Sequence, residues 1–331
     1  MRIALLGAGR IGQLHGRLVA EQPGVDEVIV FDVVAENAAR TADAIHGRVA
    51  ATVDEAIAAS DAVIVAASTN MHATLVAQAI DAGKPVFCEK PLAFDLEETV
   101  ALVAKAEAAG AVVQVGFQRR FDPAYVEAKR LLDTGELGTL YMVRLIAHDH
   151  TPPPDAYIPV SGGLFRDSSI HDFDALRWLT GQEVVEVYAT GAVRNFPIFA
   201  EFDDVDTGAC IFTLADGAIG SHAQTRHNPL GYDVRMEVIG SRDVVCDGLD
   251  QGTPIRSLEK GAPTLAGPAW DSFLDRFEEA YRQELLAFLR VARGEIPSPC
   301  TARDALQAMR IAVAATKSRL EHRPVRLDEV P

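Results

Sequence analysis

The apolar run Ile3-Ala4-Leu5-Leu6 leads directly into Gly7-Ala8-Gly9-Arg10-Ile11-Gly12, and Asp32 follows twenty residues after the last of these glycines. Four consecutive apolar residues suit a strand buried on both faces. The first two glycines let the chain turn sharply and bring its backbone close to a ligand, and the third lets the following helix settle against the strand. The start of that helix carries unpaired N–H groups and the positive end of the helix dipole, so it favours an anion such as a pyrophosphate. A glycine pattern by itself also marks ordinary turns. Strand, helix and acidic residue at these offsets together predict a dinucleotide site.

Asp32 closes a second apolar run, Val28-Ile29-Val30-Phe31, which places its carboxylate at the carboxyl edge of the neighbouring strand. There it can accept hydrogen bonds from ribose hydroxyls. A 2′-phosphate would instead meet a like charge, a repulsion of about 4 kcal/mol at ~4 Å and an effective dielectric near 20. Residues 33–39 contain no Arg or Lys to neutralise such a phosphate, so NAD is expected rather than NADP. Capping of the next helix by Asp32 is compatible with that role.

The first 120 residues go on alternating strand and helix. An alanine-rich helix follows Asp32. Next come a short strand near Val49, a helix from Val53, a strand over 62–66, a helix over 71–82, a strand over 86–88, a helix over 96–109 and a strand over 112–115. Gly83-Lys84-Pro85 and Gly110 sit where helices stop. Such alternation requires parallel strands with crossover helices. Beyond Arg120 the pattern changes to a helix over 123–132, a strand over 141–147 and an irregular loop at Pro152-Pro153-Pro154. Strand-like runs follow at 184–189, 209–214, 218–225 and 234–239, with Asp216-Gly217 as a hairpin turn. Val234, Met236 and Val238 alternate with Arg235 and Glu237, leaving one face for solvent or a partner. Two late helices are expected over 270–292 and 302–320. The expected fold class is α/β: an N-terminal Rossmann dinucleotide-binding domain, residues 1–120, plus a C-terminal α+β domain, residues 121–331, with a largely antiparallel open sheet.

With 331 residues and 48% hydrophobic content the chain can bury two cores of ordinary size. Its 31 basic and 47 acidic residues give a net charge of −16, which repels nucleic acid and anionic lipid. No run approaches the ~20 apolar residues of a membrane span, and the amino terminus enters a strand at once, which argues against a signal peptide. A cytoplasmic location is expected. Cys88, Cys210, Cys246 and Cys300 are widely spaced and read as free thiols rather than a zinc site or a disulfide framework.

Ligands of doubly wound sheets gather at the carboxyl ends of the strands. One such place is Ser68-Thr69-Asn70-Met71-His72, whose small polar residues could contact a cofactor or cap a helix. Another is Cys88-Glu89-Lys90-Pro91, where Pro91 biases Lys90 toward an extended backbone and aims its ammonium out of the sheet edge. A cation there can hold a hydroxyl and stabilise alkoxide character. A solvated surface lysine is the alternative. Further on, Asp167 and His171 are four apart and would share one helix face, while Ile170, Phe173 and Leu176 form an apolar stripe on another. A histidine is the natural acceptor of a hydroxyl proton at neutral pH, and Asp167 could orient it or bind a neighbouring hydroxyl. The same pair could be a helix-supporting contact or two ligands of a metal, but no set of further ligands is evident and no metal is expected.

Taken in order, these segments resemble the Gfo/Idh/MocA family of glucose–fructose oxidoreductases and inositol dehydrogenases over nearly the whole chain. The resemblance rests on the glycine fingerprint, on Phe87-Cys88-Glu89-Lys90-Pro91-Leu92, on Val115-Gly116-Phe117-Gln118-Arg119-Arg120-Phe121, on residues 163–174 and on Gly231-Tyr232-Asp233. The segment from Asp275-Arg276-Phe277 to Tyr281 is similar to inositol dehydrogenases. The resemblance implies a catalytic set of Lys90, which holds the reacting oxygen, His171, which accepts its proton, and Asp167, which fixes polyol and imidazole. It implies cofactor contacts from Gly7, Gly9, Arg10, Ile11, Gly12, Asp32, Ser68, Thr69, Asn70, His72, Glu89, Lys90 and Gln118. Substrate contacts are implied for Lys90, Arg119, Asp149, Asp167, His171 and Tyr232.

The implied activity is NAD-dependent oxidation of a secondary ring hydroxyl of a cyclic polyol, myo- or scyllo-inositol, to the ketone. The implied assembly is a homo-oligomer, a tetramer, paired through outer sheet faces. Ala147-His148-Asp149-His150-Thr151-Pro152 and Leu230 depart from the pattern of many inositol dehydrogenases and bear on the substrate. An aldose or anhydrosugar dehydrogenase with the same catalytic set is the neighbouring alternative, and a non-catalytic NAD-binding regulator is the alternative from another class.

Overall fold

The computed structural model describes residues 1–261 and 268–331. The chain packs into two units, Met1–Phe121 with Glu279–Met309, and Asp122–Glu278 with Arg310–Pro331. A single boundary near residue 120 therefore does not describe the division, because a late segment returns to the first unit.

The first unit is built from β1 (Arg2–Leu6), α1 (Arg10–Ala20), β2 (Glu27–Phe31), α2 (Ala35–Ala44), β3 (Arg48–Val49), α3 (Val53–Ala59), β4 (Ala62–Val65), α4 (Thr69–Asp81), β5 (Val86–Glu89), α5 (Leu96–Ala109) and β6 (Val113–Gly116). The strands form one parallel sheet in the order β3-β2-β1-β4-β5-β6. Helices cover a parallel sheet on both sides, so Ile3 to Leu6 and Val63 to Val65 are wholly buried, each large side chain stabilising the fold by about 1.5–3 kcal/mol. The order reverses between β1 and β4, which puts the loops after those two strands at the crevice where such sheets take ligands. Helix boundaries follow local chemistry. Asp95 caps α5 by accepting from the Glu98 N–H, and Gly110 ends it in the left-handed conformation at φ 58°.

The second unit contains α6 (Pro123–Asp133), β7 (Leu140–His148), α7 (Ile158–Ser161), α8 (Leu164–Asp167), α9 (Ile170–Thr180), β8 (Val184–Ala192), β9 (Thr207–Leu214), β10 (Ile219–Thr225), β11 (Asp233–Gly240) and β12 (Val244–Asp247). Its sheet runs β12-β11-β7-β10-β9-β8-β13, with β13 supplied by Val325–Arg326 near the C-terminus. The pairing of β7 with β10 is parallel and the other pairings are antiparallel. Between those two strands the chain crosses over through helices and the β8-β9 hairpin, so it re-enters in its original direction. One face of this sheet packs on α9, where Phe173 meets the ring of Phe212 edge-on at 5.5 Å.

The late helical segment is broken. α10 (Phe273–Arg276) ends at Phe277, and α11 (Glu278–Ala292) begins after it, followed by α12 (Ala302–Glu321). α11 belongs to the first unit because its buried side presents Tyr281 to the His15 ring at 5.7 Å and Phe288 to Phe87 at 5.7 Å. Arg276, at the break, binds Asp122 and Asp247 at 2.8 and 2.9 Å. No described helix is long and apolar enough to cross a membrane, and the four cysteines are free.

Candidate active site

In the first unit, three glycines serve three different needs. Gly7 has φ 102°, and a Cβ there would lie 2.5 Å from the Ala67 nitrogen, so only glycine fits where β1 passes the end of β4. At Gly12 a Cβ would stand 2.1 Å from the Gly7 carbonyl oxygen, so α1 can leave the turn this tightly only without a side chain. Gly9 is unlike both. It is exposed, its φ of −70° suits any residue, and nothing lies within 4 Å of its missing Cβ. Gly9 caps α1, with no side-chain capping bond and no acidic residue in the first turn, and Arg10 and Ile11 follow it at the rim. The loop is thus open on the side where a pyrophosphate would approach, and its chemistry fits NAD.

A differential result follows. Gly12→Ala is expected to lower the melting temperature of the apoprotein, since overpacking costs about 1–3 kcal/mol. Gly9→Ala is expected to leave it unchanged while weakening NADH binding about tenfold or more, read by nicotinamide fluorescence. Equal melting and equal binding in both variants would show that Gly12 is not required for packing and Gly9 is not required for the cofactor.

Asp32 is half-buried at the end of β2. Its Oδ2 accepts from the Ala8 N–H at 2.6 Å and its Oδ1 from the Val34 N–H at 2.8 Å. It does not cap α2, whose N-cap is Val34. The carboxylate pins the glycine turn instead, and each oxygen keeps a lone pair for a ribose hydroxyl. Past β4, Ser68 is the N-cap of α4 but makes no side-chain capping bond, and Ser68 and Asn70 are exposed with Thr69 half-buried between them. Simple helix capping therefore does not account for this polar trio. Gln118 and Arg119 lie on a buried turn after β6, and the Gln118 Oε1 has no hydrogen-bond partner among the described residues.

Two residues expected to contact the cofactor turn their side chains into the protein. The His72 ring is 1% exposed and points inward, its Nδ1 2.7 Å from the Pro91 carbonyl and its Nε2 3.1 Å from the Ala67 carbonyl. Glu89 is buried too, with Oε1 2.6 Å from His15 Nε2 and Oε2 accepting from the Lys90 N–H at 3.1 Å. Both side chains are committed to the protein. Lys90 itself is half-buried at the end of β5.

The second unit holds a separate polar cluster around Arg226, 4% exposed just after β10. Its Nη2 donates to Asp167 Oδ2 at 2.8 Å and its Nη1 to Asp149 Oδ2 at 3.4 Å. Burial disfavours the guanidinium charge, yet Asp167 and Asp149 more than compensate and raise its pKa above the ordinary value. The other oxygen of Asp167 accepts from the Tyr157 hydroxyl at 3.0 Å. Asp167 and His171 do not share one continuous helix. Asp167 ends α8, Ser168 and Ser169 separate it from the next helix, and His171 sits half-buried in the first turn of α9. Asp167 is accordingly oriented by Tyr157 and Arg226. Ile170, Phe173 and Leu176 are buried as their spacing predicts.

Beside these groups in the sequence, Ser169 donates to Gln224 Oε1 at 2.6 Å and lies 3.0 Å from His222 Nε2, while His222 Nδ1 is 3.7 Å from Asp172. Ser169, His222 and Asp172 mimic the order of a hydrolase triad, but at no more than 2% exposure they can meet no substrate. They form a buried polar network. His148 lies 3.0 Å from the Thr225 hydroxyl, and burial pulls its pKa down. Tyr232 is 8% exposed, in a small cleft with Trp270 and Arg276, and its N–H donates to the Trp270 carbonyl at 2.6 Å.

Sequence reading missed Arg226, Tyr157 and Gln224. A signal for two of them existed. Gly220, His222, Gln224 and Arg226 alternate along one face of β10 and beyond, and a polar series on the packed face of a strand marks a buried network.

Residues 1–117 match the oxidoreductase family with an NAD-binding Rossmann fold, and residues 125–245 match the GFO/IDH/MocA C-terminal domain. A myo-inositol dehydrogenase of Streptomyces leeuwenhoekii is 39% identical over 322 residues, 96% of this chain and 97% of the relative. Among solved structures, a myo-inositol dehydrogenase from Corynebacterium glutamicum aligns with a TM-score of 0.91 at 33% identity, covering 99% of this chain and 98% of that one. The scyllo-inositol dehydrogenase of Lactobacillus casei, solved with NAD(H) and scyllo-inositol, aligns with a TM-score of 0.87 at 27% identity over 99% of both chains.

Proposed function

Because this chain belongs to the Gfo/Idh/MocA family of NAD-dependent oxidoreductases, we propose that it oxidises a secondary ring hydroxyl of a cyclic polyol, myo- or scyllo-inositol, to the ketone. NAD, when bound, supplies the nicotinamide carbon that takes the hydride. Lys90 holds the reacting oxygen, and its positive charge favours the alkoxide that develops there. His171 accepts the hydroxyl proton. Asp167, held on one side by Tyr157 and on the other by Arg226, presents a fixed carboxylate to neighbouring hydroxyls, with Asp149 on the same guanidinium. Arg119 and Tyr232 complete the proposed substrate contacts. A neutral polyol is bound by such hydrogen bonds, and a substrate lacking one hydroxyl would leave them unpaired. The observation that carries this reading is the pairing of Asp149 and Asp167 with one buried guanidinium, with Tyr157 bonded to the other oxygen of Asp167, just before the helix bearing His171.

The protein is further proposed to work in the cytoplasm as a homotetramer. The open face of the second sheet supports the assembly. Register places Val244, Ile239, Met142 and Ile219 in one row across four strands, and Ile211 and Tyr188 beside one another in the next. Val244 and Ile211 are 56% and 54% exposed, an unusual share of apolar surface for a sheet face in water.

The test is a panel of myo-inositol, scyllo-inositol, glucose and related sugars with NAD or NADP, followed by reduced-cofactor absorbance. NADH formation with an inositol is expected. Turnover confined to aldoses would replace the substrate, and none with any member would favour a regulator. In the same assay Asp32→Ala is expected to narrow the preference for NAD over NADP about tenfold, the value of one lost charged contact.

A further inference from the structure

Two histidines bracket Lys90. On one side, His15 of α1 reaches the Glu89 carboxylate at 2.6 Å, and the second oxygen of Glu89 accepts from the Lys90 N–H at 3.1 Å. On the other, His72 of α4 lies 2.7 Å from the carbonyl of Pro91, the residue after Lys90. Both rings are buried, His15 completely. His15 is wedged edge-on between Phe87 and Tyr281, and its Nδ1 has no partner among the described residues, so the ring is held for the single bond that Nε2 makes. A carboxylate only accepts, so that bond carries its proton on His15 Nε2. His72 faces two carbonyls, and burial lowers its pKa, so the neutral ring donates to one of them, the closer Pro91 oxygen.

The helices carrying these rings are the two whose first turns adjoin the ligand crevice. α1 begins at the Gly7 to Gly12 turn, and α4 begins at Ser68-Thr69-Asn70. His72 Nε2 also lies 3.1 Å from the carbonyl of Ala67, the residue before that polar trio. We propose that His15 and His72 are positioning residues for Lys90, tying the residues on either side of it to the two helices that open the cofactor crevice. The ammonium is then registered to the cofactor loops by two side-chain bonds rather than by the strand end alone. This assignment rests on the catalytic role proposed for Lys90. It explains why two side chains read from the sequence as cofactor contacts, Glu89 and His72, are turned into the protein.

The atoms used differ, and that difference supplies the test. Glutamine at 15 places an amide nitrogen where His15 Nε2 stands, whereas asparagine at 72 places one where His72 Nδ1 stands. His15→Leu and His72→Leu are expected to lower kcat for the reacting inositol about 10- to 100-fold, the scale of an ångström-sized misplacement, with a smaller change in KM. His15→Gln and His72→Asn restore most of the rate. His15→Asn and His72→Gln, whose donors fall elsewhere, do not. A second readout needs no cofactor or turnover: the rate at which acetic anhydride labels the Lys90 amine in the apoprotein, followed by peptide mass spectrometry, shifts in the leucine variants and returns in the matched amides. If a leucine variant does not fold, the contrast between Gln and Asn at that position decides. Lys90→Met separates the two readings. Full turnover in Lys90→Met removes the catalytic role and the positioning role with it. An inactive Lys90→Met, beside leucine or mismatched amide variants with unchanged kcat and labelling, overturns the positioning role alone.

Discussion

His171→Ala is expected to reduce kcat by a factor of ~10²–10⁴ at neutral pH, the usual contribution of a positioned general base. Oxidation of an alcohol must shed the hydroxyl proton as hydride departs, and His171 is the half-buried imidazole at the start of α9, next to the Asp167 cluster. NADH binding is expected to persist, because the glycine turn, Asp32 and the Ser68 trio all belong to the first unit and His171 does not. The residual rate should climb as pH rises, since hydroxide in solvent then substitutes for the missing base. Stopped-flow absorbance with NAD and the reacting inositol measures both effects. A variant with wild-type turnover at pH 7 would remove His171 from the reaction.

Arg226→Met should destabilise the protein by about 3–5 kcal/mol, because it strips the cation from carboxylates that the fold has already taken out of water. Asp167 and Asp149 have side-chain exposures of 10% and 25%, and both lie on the same guanidinium. The expected fall in melting temperature is about 10 °C. Arg226→Lys recovers only part of it, since one ammonium cannot reach two carboxylates through two separate nitrogens. The double variant Arg226→Met with Asp167→Asn should be closer to wild type in stability than Arg226→Met, while remaining poor in turnover. Calorimetry that finds Arg226→Met as stable as the parent protein would show that the cluster contributes nothing to folding, and would leave Asp167 without the anchor assigned to it.

Much of the first unit was legible because its signals are local. A buried parallel strand reads as an apolar run, a tight turn reads as glycine, and a helix stop reads as Gly110 or Gly83, all within a few residues. The helix over 96–109 coincides with α5 for that reason, since its cap Asp95 and its terminator Gly110 are encoded beside it. The β10 strand was legible as a strand, but its parallel partner β7 was not, because that pairing depends on a crossover more than sixty residues long. The break between Asp167 and His171 escaped as well. Helical spacing assumes one continuous helix, and Ser168 and Ser169 are drawn into bonds with Gln224, a residue distant in sequence.

The amino-acid sequence by itself determined the dinucleotide turn, the acidic residue at the end of the second strand and the residue types able to hold an alcohol and take its proton. Each of these depends on short-range geometry or on the chemistry of a single side chain. Only the tertiary structure decided that Asp167 answers to Arg226 and Tyr157, that His72 and Glu89 face inward around Lys90, and that α11 returns to the first sheet. Those outcomes arise because buried charges and donors must find partners, and the partner that lies within 3 Å in the folded chain carries no mark of that nearness along the sequence.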